Sequence, residues 1–144
     1  KFMKEKSAKF VHCSYYIVNK KNKIIGNRNS PKELNYLDLL NSCDIGLSTV
    51  LVEKETIKNF RFPRLKTKED YVMWLNLSKN KIKLYGMPQK LVYWRKLKNS
   101  LSSNILQKLL DGYRVYRVYL GKSVISSLLR LIILSINFLK KNYK

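Results

Sequence analysis

Metal-ligating and acidic side chains are scarce in this chain. Cysteine occurs twice, at Cys13 and Cys43, without Cys-x-x-Cys spacing, and His12 is the single histidine. A structural zinc site takes about four such ligands, so the composition argues against one. The two thiols read instead as buried, reduced cysteines of a cytosolic protein. No internal repeat or low-complexity linker divides the 144 residues, which have room for one domain with one core. The opening stretch KFMKEKSAKF is charged and lacks the apolar segment of a secretory signal. It begins on lysine, in what reads as the middle of an amphipathic segment, so an upstream portion is expected.

Acids are outnumbered throughout, with 9 Asp plus Glu against 30 Lys plus Arg and a net charge of +21. Beyond Asp70 only Asp111 is negative against 15 basic residues, so residues 71–144 carry +14 and residues 1–70 carry +7. A one-sign surface of this kind attracts phosphate, whether of nucleic acid, a nucleotide diphosphate or an anionic lipid leaflet. Hydrophobic residues make up 45% and charged residues 27%, the balance of a folded chain.

Periodicity places the elements. Phe2, Met3 and Lys6 open a short helix, AKFVHCSYYIVN is a strand, and NKKNKIIGN is a turn followed by a second strand. PKELNYLDLLNSC predicts a helix with Pro31 near its start, and IGLSTVLVEK predicts a strand. KETIKNFRF reads as a short helix or turn, and KTKEDYVMWLNLSKN is the strongest helix, with Tyr71, Trp74 and Leu75 on one face. KIKLYGMPQKLVYWR reads as strand, Gly-Met-Pro break, strand. Two helical stretches come after Asn104, separated near Gly121. The alternation describes an α/β or α+β layer structure, with residues 1–103 as the main unit and 104–144 as a basic helical tail.

Glu69 and Asp70 head the strongest helix. Thr67-Lys68-Glu69-Asp70 fits a capping box, in which the Thr hydroxyl and the acid three residues later satisfy each other's amides. A carboxylate held ionised at a helix N-terminus is also what a general base requires, and the segment alone leaves both readings open.

Neighbouring segments add weight to the second reading. Ser48-Thr49-Val50, Phe60, Glu69-Asp70, Trp74-Leu75, Trp94-Arg95 and Ser100-Leu101-Ser102 succeed one another over about 60 residues. In order and spacing they resemble the second half of a family 2 glycosyltransferase of the GT-A fold, a Rossmann-like α/β architecture. The upstream KFMKEKSAKFVHCSYYIVNKKNKIIG is similar to the helix, aromatic strand and polar turn that lie just after that family's metal-binding Asp-x-Asp segment. The resemblance implies that Asp70 is the catalytic base, deprotonating an acceptor hydroxyl as it attacks a nucleotide sugar with inversion. Glu69, Ser48 and Thr49 would position the acceptor, and Arg95, Lys96 and Lys98 would lie on the diphosphate side. Trp74 reads as core and Trp94 as core or cleft wall. Where the family often has histidine, this chain has Leu97, so any contact from that side chain is lost. No Asp-x-Asp occurs in the sequence, Glu53-Lys54-Glu55 being on the wrong segment. The expected divalent cation, Mg or Mn, would therefore be bound mainly by a donor-binding half preceding Lys1.

The tail, residues 122–144, holds an apolar run from Val124 to Leu139, short of the roughly 20 residues that span a bilayer. On a helix Leu128, Leu131, Ile132, Ile136 and Leu139 share a face, with Ser127, Arg130 and Asn137 off it. That composition suits an in-plane helix on an anionic membrane, and equally a terminal helix packed on the core or a dimer contact. The expected partners are a nucleotide-sugar donor and a glycan or lipid-linked acceptor, with the protein cytoplasmic and peripheral at the inner face of a membrane. Two other readings compete, a basic nucleic-acid-binding module and a non-catalytic remnant. The first lacks any helix-turn-helix, RNA-recognition or zinc-finger pattern, so no nucleic acid is expected.

Overall fold

The computed structural model describes residues 1–98, 100 and 103–142. It is a mixed α/β structure built on a five-stranded sheet. After a one-turn helix α1 (Phe2–Glu5), the β-branched and aromatic run forms β1 (Phe10–Val18), the strand to which most others attach. The strand β2 (Ile24–Arg28) pairs antiparallel with the second half of β1, and β4 (Val50–Val52) pairs antiparallel with its first half. On the other side β5 (Leu84–Arg95) runs parallel to β1, and the short β3 (Glu33–Leu34) closes the far edge of β5. Parallel neighbours need a long crossover. Here it carries α2 (Tyr36–Asn41), β4, α3 (Lys54–Ile57) and α4 (Glu69–Lys79). The chain ends in α5 (Ile105–Arg114), a π turn at Val115–Tyr119, and α6 (Val124–Asn142).

Several expected boundaries move, each for a local reason. The helix expected from Pro31 begins at Tyr36, because Asn35 is its cap: the Asn35 side chain accepts from the Leu37 and Asp38 amides while Asp38 accepts from the Asn35 amide. Glu33 and Leu34, freed from the helix, pair with β5. In IGLSTVLVEK, Leu47–Thr49 form a 3₁₀ turn and only Val50–Val52 are strand. The Gly-Met-Pro segment bulges β5 without breaking it. Cys13 lies opposite Met87 but Ser14 opposite Lys90, so Pro88, which has no N–H to give the ladder, is looped out with Gln89. Gly86 is required there: a Cβ would lie 1.8 Å from the Pro31 carbonyl oxygen and 2.1 Å from Ser30 Oγ. The separation of two terminal helices near Gly121 is seen, with Gly121 at φ +63°.

The core gathers on α4. Tyr71, Val72, Met73, Trp74, Leu75 and Leu77 are all buried, so this helix is covered all round and has no single apolar face. Trp74 meets Phe10 of β1 edge-on, with ring centroids 5.0 Å apart. The Tyr71 hydroxyl donates to the Leu39 carbonyl and lies 3.1 Å from the Tyr116 hydroxyl, which donates to the Leu40 carbonyl at 2.9 Å. These two phenols donate to carbonyls near the end of α2, that of Leu39 also accepting from the Ser42 amide at 3.3 Å. Burial drives both phenol pKa values up, that of Tyr116 to about 12.

The capping box expected at Thr67 is absent. The cap position is Lys68, in the left-handed region at φ 69°, and no side chain caps α4. Thr67 is engaged elsewhere: its amide and hydroxyl donate to Asp111 Oδ2 at 2.9 and 3.0 Å. Gln107 Nε2 joins them at 2.9 Å and Arg114 Nη1 meets the other oxygen at 3.3 Å. Asp111 is fully buried. Burial works to raise its pKa, but these donors outweigh it and hold the carboxyl below the usual range.

Candidate active site

With Thr67 held by Asp111, the Asp70 carboxylate is free of the cap and takes the adjacent Tyr71 amide, at 2.8 Å, and its own. It lies in a cleft of about 620 Å³. Tyr15 of β1 and Trp94 of β5 supply aromatic walls, and the segment from Cys43 to Ser48, between α2 and β4, supplies the rest. The parallel pairing of β1 and β5 explains why residues far apart in sequence meet here, since Ile17 is registered with Trp94 and Tyr15 with Val92. Trp94 is 36% exposed, with its remaining surface against the protein.

The electrostatics favour a base. Burial raises the Asp70 pKa, and the neighbouring Glu69 adds to the rise, whereas the Tyr71 amide and Lys68 oppose it. The group is thus a stronger proton acceptor than a free carboxylate, the direction in which a general base is tuned. Burial also raises the Tyr15 pKa and pushes the Cys43 thiol up to about 12, so both stay neutral.

The other sequence-derived candidates divide. Ser48 lines the cleft beside Asp70. Thr49 is buried and its hydroxyl donates to the Gly46 carbonyl at 2.7 Å, closing the 3₁₀ turn. Glu69 lies outside the cleft lining, with Oε2 buried and unpartnered. Arg95, Lys96 and Lys98 are exposed and leave the cleft directly after Trp94. Arg95 Nη2 donates to Asn22 Oδ1 at 2.7 Å, and the Lys96 amide donates to the Val18 carbonyl at 2.8 Å. Leu101 and Ser102 of the Ser-x-Ser element lie outside the described residues. Trp74 is core and its indole Nε1 has no partner.

Sequence reasoning missed Tyr15, Cys43 and Asp44. Asp44 is the second carboxylate of the cleft, paired with Lys141 of α6. Its only signal in the sequence is its rarity among so many cations. A divalent cation does not fit the side chains present: among the described residues no three His, Cys, Asp or Glu groups converge, and Asp44 is already neutralised by Lys141.

No family model matches the chain. It is 34% identical over 116 residues, 81% of its length, to WfaP of Escherichia coli, a UDP-Glc:alpha-D-GlcNAc-diphosphoundecaprenol beta-1,3-glucosyltransferase. It is 32% identical over 120 residues, again 81% of its length, to TuaG of Bacillus subtilis, named as a teichuronic acid biosynthesis glycosyltransferase. It is 32% identical over 108 residues, 74% of its length, to WfgD of Escherichia coli, also a UDP-Glc:alpha-D-GlcNAc-diphosphoundecaprenol beta-1,3-glucosyltransferase. The matches cover 45%, 46% and 42% of these three relatives, so the chain spans a little under half their length.

Proposed function

We propose that this chain, a glycosyltransferase homologue, supplies the acceptor side of an inverting sugar transfer in polysaccharide synthesis, on a partial GT-A fold. The observation that carries the reading is one raised-pKa carboxylate, Asp70, in a cleft walled by two aromatic rings. Asp70 takes the proton from the acceptor hydroxyl as that oxygen attacks the anomeric carbon of a nucleotide sugar. The new bond forms as the bond from that carbon to the diphosphate oxygen breaks, and the leaving group departs as a nucleoside diphosphate. With the cleft's other carboxylate, Asp44, engaged by Lys141, Asp70 serves as the one base, which suits one displacement with inversion.

The side chains around Asp70 have separate tasks in this reading. Tyr15 and Trp94 offer apolar faces with polar tips, which suit a sugar ring. Ser48 offers a hydroxyl to the acceptor, and Thr49 keeps the loop bearing Ser48 in its turn. Glu69 acts through its charge on Asp70. Arg95, Lys96 and Lys98 stand at the cleft's exit as cations for the departing diphosphate. A divalent cation, if used, would be held by carboxylates in the remaining part of a longer protein, and this chain alone would not turn over. The acceptor is a glycan or lipid-linked sugar, and the enzyme works at the inner face of a membrane.

The test is Asp70→Asn in the complete enzyme, assayed by transfer from the nucleotide sugar. The expected result is a fall in kcat of about 10²–10⁴-fold with folding intact. Retention of wild-type kcat would assign Asp70 to structure alone.

A further inference from the structure

The tail helices are oriented in a way their composition does not suggest. The strip of α6 turned towards the domain is polar. Arg130 Nη1 donates to Asn41 Oδ1 at 2.7 Å, Asn137 Nδ2 donates to the Asn41 carbonyl at 2.9 Å, and Lys141 Nζ engages Ser42 and Asp44. Ser127 and Leu134 are buried on the same side. The opposite side is apolar and exposed: Ile125 at 73%, Leu129 at 57%, Ile132 at 55% and Ile136 at 46%.

The helix α5 repeats the arrangement. It lies antiparallel to α6, with Gly112 so close to Leu131 that a Cβ would come within 2.8 Å, and with Lys108 over the Phe138 ring. Ile105, Leu106, Leu109 and Leu110 are left exposed. Helical spacing turns these residues away from the domain on the same side as the α6 stripe. The result is a continuous apolar surface larger than isolated exposed side chains would give.

We propose that α5 and α6 together form a docking face for an anionic phospholipid bilayer. Charge selects this occupant. Between Asn104 and Asn142 there are seven basic side chains, of which Arg114, Arg130 and Lys141 bond towards the domain and four others remain, and one acid, Asp111, which is buried and fully paired. A second copy of the chain would bring another +21 against this one, whereas an anionic leaflet brings the opposite sign. Among the described residues no helix is long and apolar enough to cross a membrane, so α6 lies in the interfacial plane with its apolar stripe among the acyl chains. Lys141 then has a second consequence. By engaging Asp44 and Ser42 it ties the end of α6 to the wall of the Asp70 cleft, so docking presents that cleft beside the lipid surface. Only this placement of the cleft rests on the proposed transfer reaction.

The experiment is flotation of the intact protein with phosphatidylcholine vesicles, with and without phosphatidylglycerol, in the absence of donor and acceptor. The protein is expected to float with the anionic vesicles, less so as salt rises. Leu129→Glu with Ile132→Glu should lower partitioning at least tenfold. Leu51→Glu, at an exposed apolar position on β4, should leave it unchanged. Absence of flotation with anionic vesicles, or wild-type partitioning by the double variant, overturns the proposal. So does a dimer in sedimentation that Leu129→Glu converts to a monomer, which would assign the face to a second copy. Because no sugar chemistry enters, failure here leaves the Asp70 reading standing, and failure of Asp70→Asn leaves this one standing.

Discussion

Two helices, α4 and α6, carry similar apolar side chains and use them in opposite ways. In α4 the apolar residues are buried on every side, between the sheet and a layer formed by α2 and the π turn. In α6 the domain-facing strip is largely polar and most of the large apolar side chains point outward. Apolar content therefore says only that a segment has something to bury. Where it is buried depends on which neighbours offer a complementary surface. Around α4 these are Phe10, Leu39, Leu40 and Tyr116, whereas next to α6 they are the acceptors Asn41, Ser42 and Asp44, which demand donors.

Truncations of matched size should break the symmetry most sharply. Leu75→Ala in α4 is expected to cost about 2–5 kcal/mol by leaving a cavity in a packed core. Leu129→Ala in α6 should change stability by less than about 0.5 kcal/mol, both measured by urea denaturation. Next comes the contact that joins α5 to the start of α4. Asp111→Ala should cost about 3 kcal/mol, because Thr67, Gln107 and Arg114 lose their shared acceptor. Since the Asp111 pKa is depressed in the folded state, its stabilisation is present above the ordinary carboxylate pKa and lost as pH falls through the depressed one. His12 adds to acid sensitivity. Burial lowers its pKa from 6.5 to about 4, so its contribution falls away between those two values, and His12→Asn should flatten that part of a pH-stability curve.

The smallest effect is the most diagnostic. Asp70 has a raised pKa in the folded state, so its favourable contribution is present below the unfolded value and lost as pH rises through the folded one. At neutral pH the ionised group is a burden on stability. Asp70→Asn should raise Tm by a few degrees, the shift expected of about 1 kcal/mol in a domain of this size. Asp111→Asn should lower Tm, because its amide group cannot accept all the donors aimed at the carboxylate. Opposite signs from the same substitution would separate a functional carboxylate from a structural one.

Much of the fold is legible in the chain. The β-branched run at Phe10–Val18, the apolar density of Glu69–Lys79 and the division at Gly121 are local signals, and the elements stand where those signals lie. Asp70 is singled out by the family resemblance and Trp94 is left by it as core or cleft wall; in the fold both line one cleft. Less legible is what each polar group bonds to. Thr67 caps nothing because Asp111, 44 residues away, claims its hydroxyl. Asp44 and Tyr15 enter the cleft through sheet register and a contact from α6, neither of which leaves a mark in the chain nearby.

The sequence by itself determined where the main strands and helices lie and the excess of positive charge, because propensity and charge are written in residues a few positions apart, and its family resemblance singled out the candidate base. The tertiary structure alone decided that Asp70 is released from its expected cap, that α4 has no exposed face and that α6 turns its apolar stripe outward. Those outcomes depend on competition among distant partners for the same donors, acceptors and surface, and such competition is settled only when the chain has folded.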